Sequence, residues 1–123
     1  MTPFGQKIRQ IRRTKNVSLK EMAEGVGVSS AYLSALEHGK RGTPTWAMVQ
    51  RIIAYFNIIW DEAEELQRLA EISNPRIVVD TAGLDPKATE LANRLSTDIG
   101  RVDVTVLEDL ILTLAKGVVK NPN

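Results

Sequence analysis

Residues 18–41 of the chain read SLKEMAEGVGVSSAYLSALEHGKR and decide how its first half folds. Ser18 is a favoured N-cap, and the apolar residues that follow it recur at helical spacing up to Val26. Gly27 stands where this helix must end, because glycine adopts the left-handed backbone of a helix C-terminus at the lowest cost. A second helix then places Leu33 and Leu36 inward. The stretch therefore predicts two short helices joined by a tight glycine turn.

Two helices joined in this way are typical of a helix-turn-helix, whose second helix can enter the major groove of DNA. The outward positions of the second helix, at residues 29–37, carry small side chains that let it lie deep in the groove. Serine hydroxyls can bond several base edges, and an alanine methyl can contact the methyl group of thymine. Alternatively, Ser29 or Ser30 can serve only as the N-cap of this helix. We expect the base-reading residues to be Ser29, Ser30, Ala31, Ser34 and Ala35.

Basic residues lie on both sides of this second helix, as binding to the DNA backbone requires. Lys40 and Arg41 follow the helix directly, and Arg13 and Lys20 precede it. We expect these four side chains to contact phosphates. Tyr32 is open to two interpretations, as a residue at the edge of the core or as a phenol that contacts the DNA backbone.

The charge is unevenly divided along the chain. Residues 1–56 carry nine Lys and Arg against three Asp and Glu, whereas residues 57–123 carry seven against twelve. A basic first half and an acidic second half are typical of a protein whose first half alone binds a polyanion. The net charge of +1 for the whole chain hides this division.

Helical periodicity predicts three further helices within residues 1–73, which makes this region an all-α domain of five helices. The first covers Pro3–Thr14. The fourth begins at Thr43-Pro44, because threonine is an N-cap and proline fits the first helical position. The fifth covers Trp60–Ile72. We expect the core to include Phe4, Ile8, Ile11, Trp46, Val49, Ile52, Ile53, Phe56, Trp60, Ala63, Leu66, Leu69 and either Ala70 or Ile72.

Residues 74–123 are predicted to form a second region. Asn74-Pro75 interrupts the helical pattern, and the β-branched residues after it favour a short extended segment. Two C-terminal helices follow, one from Asp85-Pro86 to Gly100 and one from Asp103 to about Lys116. The last helix has more apolar residues than one buried face can hold, which is typical of a partner surface. We expect a dimer or partner interface at Leu91, Leu95, Val106, Leu107, Leu110, Ile111 and Leu114, helped by a paired segment at 77–79.

A set of short motifs within residues 4–59 carries a family resemblance. The motifs are Ile8-Arg9 with Arg12, Ser18, Glu21-Met22-Ala23, Gly27-Val28-Ser29, Tyr32-Leu33-Ser34, Leu36-Glu37, Gly39-Lys40-Arg41 and Pro44. With this spacing the segment resembles the Xre/Cro-type helix-turn-helix family, to which the lambdoid phage repressors belong.

The resemblance implies a five-helix, lambda-repressor-like domain that binds double-stranded DNA. It also implies roles for individual residues. Arg12 and Glu37 match the family's structural ion pair, between the first helix and the end of the recognition helix. The phosphate contacts of the family correspond to His38, Lys40 and Arg41. Its base-reading positions correspond to Ser30, Ala31 and Ala35, with Ser34 nearby.

Other function classes find little support in the sequence. With no cysteine and one histidine, the chain lacks disulfides and thiolate metal sites. Neither a catalytic constellation nor a phosphate-binding glycine loop is present. We therefore expect no enzymatic activity, no cofactor and no metal. The chain has neither a signal-peptide pattern nor a run of about 18 apolar residues, so we expect a soluble cytoplasmic protein without a membrane partner.

These observations lead to a homodimeric, sequence-specific DNA-binding regulator as the first hypothesis. An antitoxin-type module, whose C-terminal helices bind a protein partner while the first domain represses its own operon, is the alternative. A repressor that senses a small molecule is a weaker third, because the second region shows no pocket signature. In each of them residues 1–73 bind DNA and residues 74–123 form the extended segment and the dimerisation or partner region.

Overall fold

The computed structural model describes residues 1–40 and 42–119, and every regular element in them is a helix. The chain forms two compact units, the first being Met1–Ile77 and the second beginning at Val78. Five helices lie in the first unit, and two helices and a short 3-10 turn lie in the second. The predicted all-α class, with a five-helix domain followed by two C-terminal helices, is confirmed.

The first three helices are α1 (Pro3–Thr14), α2 (Leu19–Val26) and α3 (Ser30–Glu37), and their ends follow from local chemistry. At the start of α2, Ser18 and Glu21 form a reciprocal capping box: each side chain accepts a hydrogen bond from the other's backbone N–H. At its end, Gly27 has φ +89°, the left-handed conformation that the turn requires.

The fourth and fifth helices are α4 (Trp46–Phe56) and α5 (Trp60–Glu71). The predicted start of α4 at Thr43-Pro44 is wrong by two residues. Thr45 is the N-cap instead, because its hydroxyl accepts the Met48 N–H at 3.1 Å, while Pro44 is buried in the preceding loop. α5 ends one residue earlier than predicted, at Glu71.

The core of the first unit lies where α1 packs on α3 and α5, α2 packs on α3 and α4, and α4 packs on α5. Each helix contributes the apolar residues of one face. The largest apolar side chains that are completely enclosed are Phe4, Ile8, Met22, Leu33, Leu36, Ile52 and Leu66.

Two residues that the sequence placed in the core are exposed, and so is one of a pair of alternatives. Trp46 is 74% exposed and Trp60 is 81% exposed, so their assignment to the core is wrong. Each tryptophan is the first residue of its helix, and the inward row begins one turn later, at Val49 and Ala63. Ile72 is also exposed, because α5 ends before it, and Ala70 is the buried residue of the two alternatives.

Residues 74–85 join the helices of the two units and contain neither helix nor strand. Ile77, Val78 and Val79 are exposed and form no ladder within the described residues. Two side-chain turns shape the segment: Asn74 accepts the N–H of Arg76, and Asp80 accepts the N–H of Ala82.

The second unit consists of α6 (Pro86–Asp98), a 3-10 turn (Ile99–Arg101) and α7 (Val104–Gly117). Asp85 and Asp103 cap the two helices, since each carboxylate accepts a backbone N–H two residues later. No residue of this unit is buried among those that the structure describes. α6 contacts the 3-10 turn but does not pack along α7 within the described range. The unit thus has helices without a hydrophobic core.

Candidate nucleic-acid interface

The candidate interface is built on α3, which is held from behind by a buried charge cluster. Glu37, the last residue of α3, is 1% exposed, and its carboxylate accepts hydrogen bonds from Arg12 Nε at 3.2 Å and from Arg12 Nη2 at 3.1 Å. Arg9 Nε lies 3.7 Å from the same carboxylate. Charge-assisted bonds in such a shielded place fix the end of α3 against α1. The structure thus brings Arg12 and Glu37 together, and it adds Arg9, which the sequence analysis had not assigned.

A second contact holds the start of α1 against the same end of α3. The N–H of Thr2 donates to the backbone carbonyl of Glu37 at 3.3 Å. Gly5 is buried at this crossing, and any Cβ at that position would overlap the same carbonyl group. The Phe4 N–H donates to Ser73 Oγ at 2.9 Å, so the segment just after α5 is held against the start of α1. Position and orientation of α3 are therefore set by backbone contacts as well as by ions.

The outward side of α3 is open and lined with small side chains. Ser30 and Ala31 are exposed, and Ser34 and Ala35 are half-buried. Ser29 is the N-cap, and its hydroxyl oxygen accepts the Tyr32 N–H at 3.0 Å. A hydroxyl that accepts one bond can still donate, so capping leaves Ser29 able to bond a base edge.

Two predicted backbone ligands belong to α3, Tyr32 in its first turn and His38 at its C-cap. Tyr32 is half-buried and packs against the core. His38 is the exposed C-cap of α3, with its Nδ1 at 2.8 Å from the carbonyl of Ser34.

The predicted cationic ligands lie on other parts of the first unit. Lys20 on α2 and Lys40 in the loop after α3 are exposed and have no carboxylate partner within the described residues. Arg13 is exposed too, but it lines the shallow groove between α1 and α5 together with Glu65 and Leu69. Arg41 lies outside the described residues. Of the predicted cationic ligands, Lys20 and Lys40 are therefore the two that are exposed on α2 and directly after α3.

The geometry is that of a helix-turn-helix, and comparison with known proteins agrees. The family described as "Helix-turn-helix domain" matches residues 5–74, more than half of the chain. The chain belongs to this family. Its match begins within α1 and ends one residue after Ser73, so it covers all five helices of the first unit. The resemblance that the motifs of residues 4–59 indicated is confirmed.

Three curated relatives are each similar to about half of the chain. The chain is 38% identical to the uncharacterized HTH-type transcriptional regulator RghRB of Bacillus subtilis (strain 168) over 61 residues, which are 50% of the chain and 44% of that protein. It is 33% identical to the HTH-type transcriptional regulator SinR of the same strain over 68 residues, 52% of the chain and 61% of SinR. It is 31% identical to the HTH-type transcriptional repressor RghR of that strain over 61 residues, 50% of the chain and 45% of RghR.

The chain spans about half the length of these curated relatives. No solved structure matches it. Within residues 1–40 and 42–119, no helix is long and apolar enough to cross a membrane, and no group of three His, Cys, Asp or Glu side chains could hold a metal ion.

Proposed function

We propose that the chain is a sequence-specific DNA-binding regulator of transcription, and that it acts as a repressor. The observation that carries this proposal is the open face of small side chains on α3, fixed from behind by the cluster around Glu37. A rigid helix with a low-profile N-terminal face suits the major groove, where base edges are read. The relatives RghRB, SinR and RghR are named as transcriptional regulators, and RghR as a repressor. Such proteins are not enzymes, and DNA as a partner implies the cytoplasm of a bacterial cell.

Lys20 and Lys40 are the proposed phosphate ligands, together with Arg41, and Tyr32 and His38 are proposed to contact the backbone beside them. Exposed cations that lack an internal carboxylate partner are free to replace the counterions of DNA. Base reading is assigned to Ser29, Ser30, Ala31, Ser34 and Ala35. Arg13 stays a weaker candidate for a phosphate contact, because it lies on the side of α1 that faces α5.

We further propose that the protein binds as a homodimer to a pseudo-palindromic operator. One α3 of eight residues can read only a few base pairs, so useful affinity needs two copies held together. Half-sites would lie about one helical turn apart, roughly 34 Å. The second unit, which exposes apolar side chains along both of its helices, is the proposed dimerisation region.

Salt dependence of DNA binding tests the assignment of the cations. Lys20→Ala with Lys40→Ala should weaken binding to every sequence and reduce the slope of log affinity against log salt by about 0.9 for each lost phosphate contact. Lys87→Ala is the matched control, because Lys87 is an exposed lysine of the second unit that already pairs with Glu90 at 3.3 Å. An equal effect of the control, or a slope unchanged in the double variant, would contradict the proposal.

Changes on α3 itself should behave differently from the lysine changes. Ser30→Ala or Ala31→Ser should alter which sequence is preferred while leaving the salt slope as it is, since base contacts specify and phosphate contacts position. Binding selected from a pool of random duplexes would show the altered preference. If a second small protein copurifies in equal amount and prevents self-association, the antitoxin-type alternative is favoured instead.

A further inference from the structure

The second unit carries a surface whose partner can be argued from its own helices. Leu91 and Leu95 of α6, continued by Ile99 at the start of the 3-10 turn, form a single apolar stripe about 100° wide, given roughly 100° of rotation per residue. Charged residues of α6 border this stripe on one side and pair within the helix, Glu90 with Lys87 at 3.3 Å and with Arg94 at 3.0 Å. α6 therefore presents one apolar stripe and leaves no unpaired charge beside it.

α7 presents an apolar arc about twice as wide. Counting about 100° per residue, its apolar side chains fill close to half of the helix circumference. The arc is formed by Val104, Val106, Leu107, Leu110, Ile111 and Leu114. One neighbouring helix covers a stripe of about 100°, so an arc of this width has room for two neighbours. Within the described residues, α7 does not pack along α6 of its own chain.

We infer that two copies of the chain pack their second units into one four-helix assembly, with the two α7 helices in contact at the centre and each α6 on the α7 of the other copy. This inference rests on the proposed homodimer and specifies its interface. Each α7 has two apolar stripes and each α6 has one, which makes six in the dimer. Three helix contacts cover all six: one between the two α7 helices, and one between each α6 and the α7 of the other copy. A two-fold axis generates this arrangement without leaving any stripe open, which is the self-complementary interface of a closed dimer.

The size of the surface agrees with a second copy as the occupant. The exposed parts of the apolar side chains on α6 and α7 amount to about 800 Å², similar to what each partner contributes to a stable interface of standard size. Because the charges of α6 are satisfied internally, α6 does not require a partner of opposite charge.

Disulfide cross-linking tests the arrangement cleanly, because the chain has no cysteine of its own. Leu110 and Ile111 lie at the middle of α7 and point about 100° apart. A two-fold axis therefore brings the one that faces the other α7 close to its own copy, whether the helices run parallel or antiparallel. Leu110→Cys or Ile111→Cys should give a covalent dimer on mild oxidation, since a disulfide needs Cα atoms within about 7 Å. Leu112→Cys is the matched control, because Leu112 is equally apolar and exposed but lies on the other side of α7.

Sedimentation of the unmodified chain gives its mass in solution, and this mass is interpreted together with the cross-linking result. A dimer mass, with several-fold more covalent dimer at position 110 or 111 than at 112, is the expected result. A dimer mass with no excess at either position overturns the α7 contact but leaves the proposed DNA-binding dimer standing. A monomer mass at micromolar concentration overturns both.

Discussion

Removing the negative charge at the end of α3 should unfold the first unit at much lower denaturant concentration. The perturbation is Glu37→Gln, which preserves the shape of the side chain. Glu37 is 1% exposed and accepts from Arg12 at 3.1, 3.2 and 3.3 Å, so the variant leaves a guanidinium without its counter-charge in a shielded place. Breaking a buried pair on one side costs about 3–5 kcal/mol. The corresponding fall in Tm is about 12 °C or more for a unit of this size.

A more exposed ion pair, between α1 and α5, provides the control. Lys7 and Glu65 are 3.8 Å apart, and the Glu65 side chain is 46% exposed, so Glu65→Gln should cost less than about 1 kcal/mol. Urea unfolding followed by far-UV circular dichroism measures both variants. All samples need one protein concentration, because self-association would make the stability depend on it.

The double change Arg12→Met with Glu37→Met should cost less than Glu37→Gln alone, because the only charge it leaves without Glu37 is Arg9, whose side chain is 33% exposed, and not the more buried Arg12. Equal losses in Glu37→Gln and Glu65→Gln would refute the assignment of Glu37 as the anchor of α3. A larger loss in the double variant than in Glu37→Gln would refute the explanation by an unpaired charge.

Three further predictions concern single positions. Gly5→Ala should destabilise the first unit by about 1–3 kcal/mol, because the new methyl overlaps the carbonyl at the end of α3. Gly100→Ala is the control: its methyl meets nothing within 4 Å, so the free energy of unfolding in urea should change by less than about 0.5 kcal/mol. Ser29→Ala should cost about 1 kcal/mol through the lost N-cap, and Ser30→Ala, which removes no cap, should leave the melting temperature unchanged. Gln50→Met should raise stability by about 1 kcal/mol, because Gln50 Nε2 is buried without a partner in the described part of the chain; a loss of stability in calorimetry would contradict this.

Much of the fold follows from local signals in the sequence. Ser18, Gly27 and Ser29 each act within four residues, and the structure uses each as predicted, as a cap or a turn. The start of α4 was wrong because the loop offers two threonines that can cap a helix, and only the packing of Pro44 decides between them. Local chemistry therefore predicts that a helix exists more reliably than where it begins.

Burial and long-range contacts were harder to predict. An apolar residue at helical spacing does not reveal whether the core extends to the first turn, so Trp46 and Trp60 were wrongly placed inside. The bond from Phe4 to Ser73 joins residues 69 positions apart, and no local pattern indicates it. Arg9 was within reach of prediction, since its spacing of three from Arg12 puts both on one face of α1.

The DNA contacts themselves depend on side chains that face outward, and packing inside the protein does not constrain these. The structure shows which of them are exposed, such as Ser30 and Lys40, but the order of bases that they prefer depends on the DNA. The preferred bases are therefore determined by measuring which DNA sequences the protein binds.

The most direct test is selection of bound duplexes from a random pool, performed with the full chain at moderate salt. The account predicts enrichment of an inverted repeat whose half-sites are centred about 10 base pairs apart, bound by two copies of the chain. Enrichment of no sequence, or binding that is insensitive to salt, would contradict the claim that α3 reads DNA in a dimeric regulator.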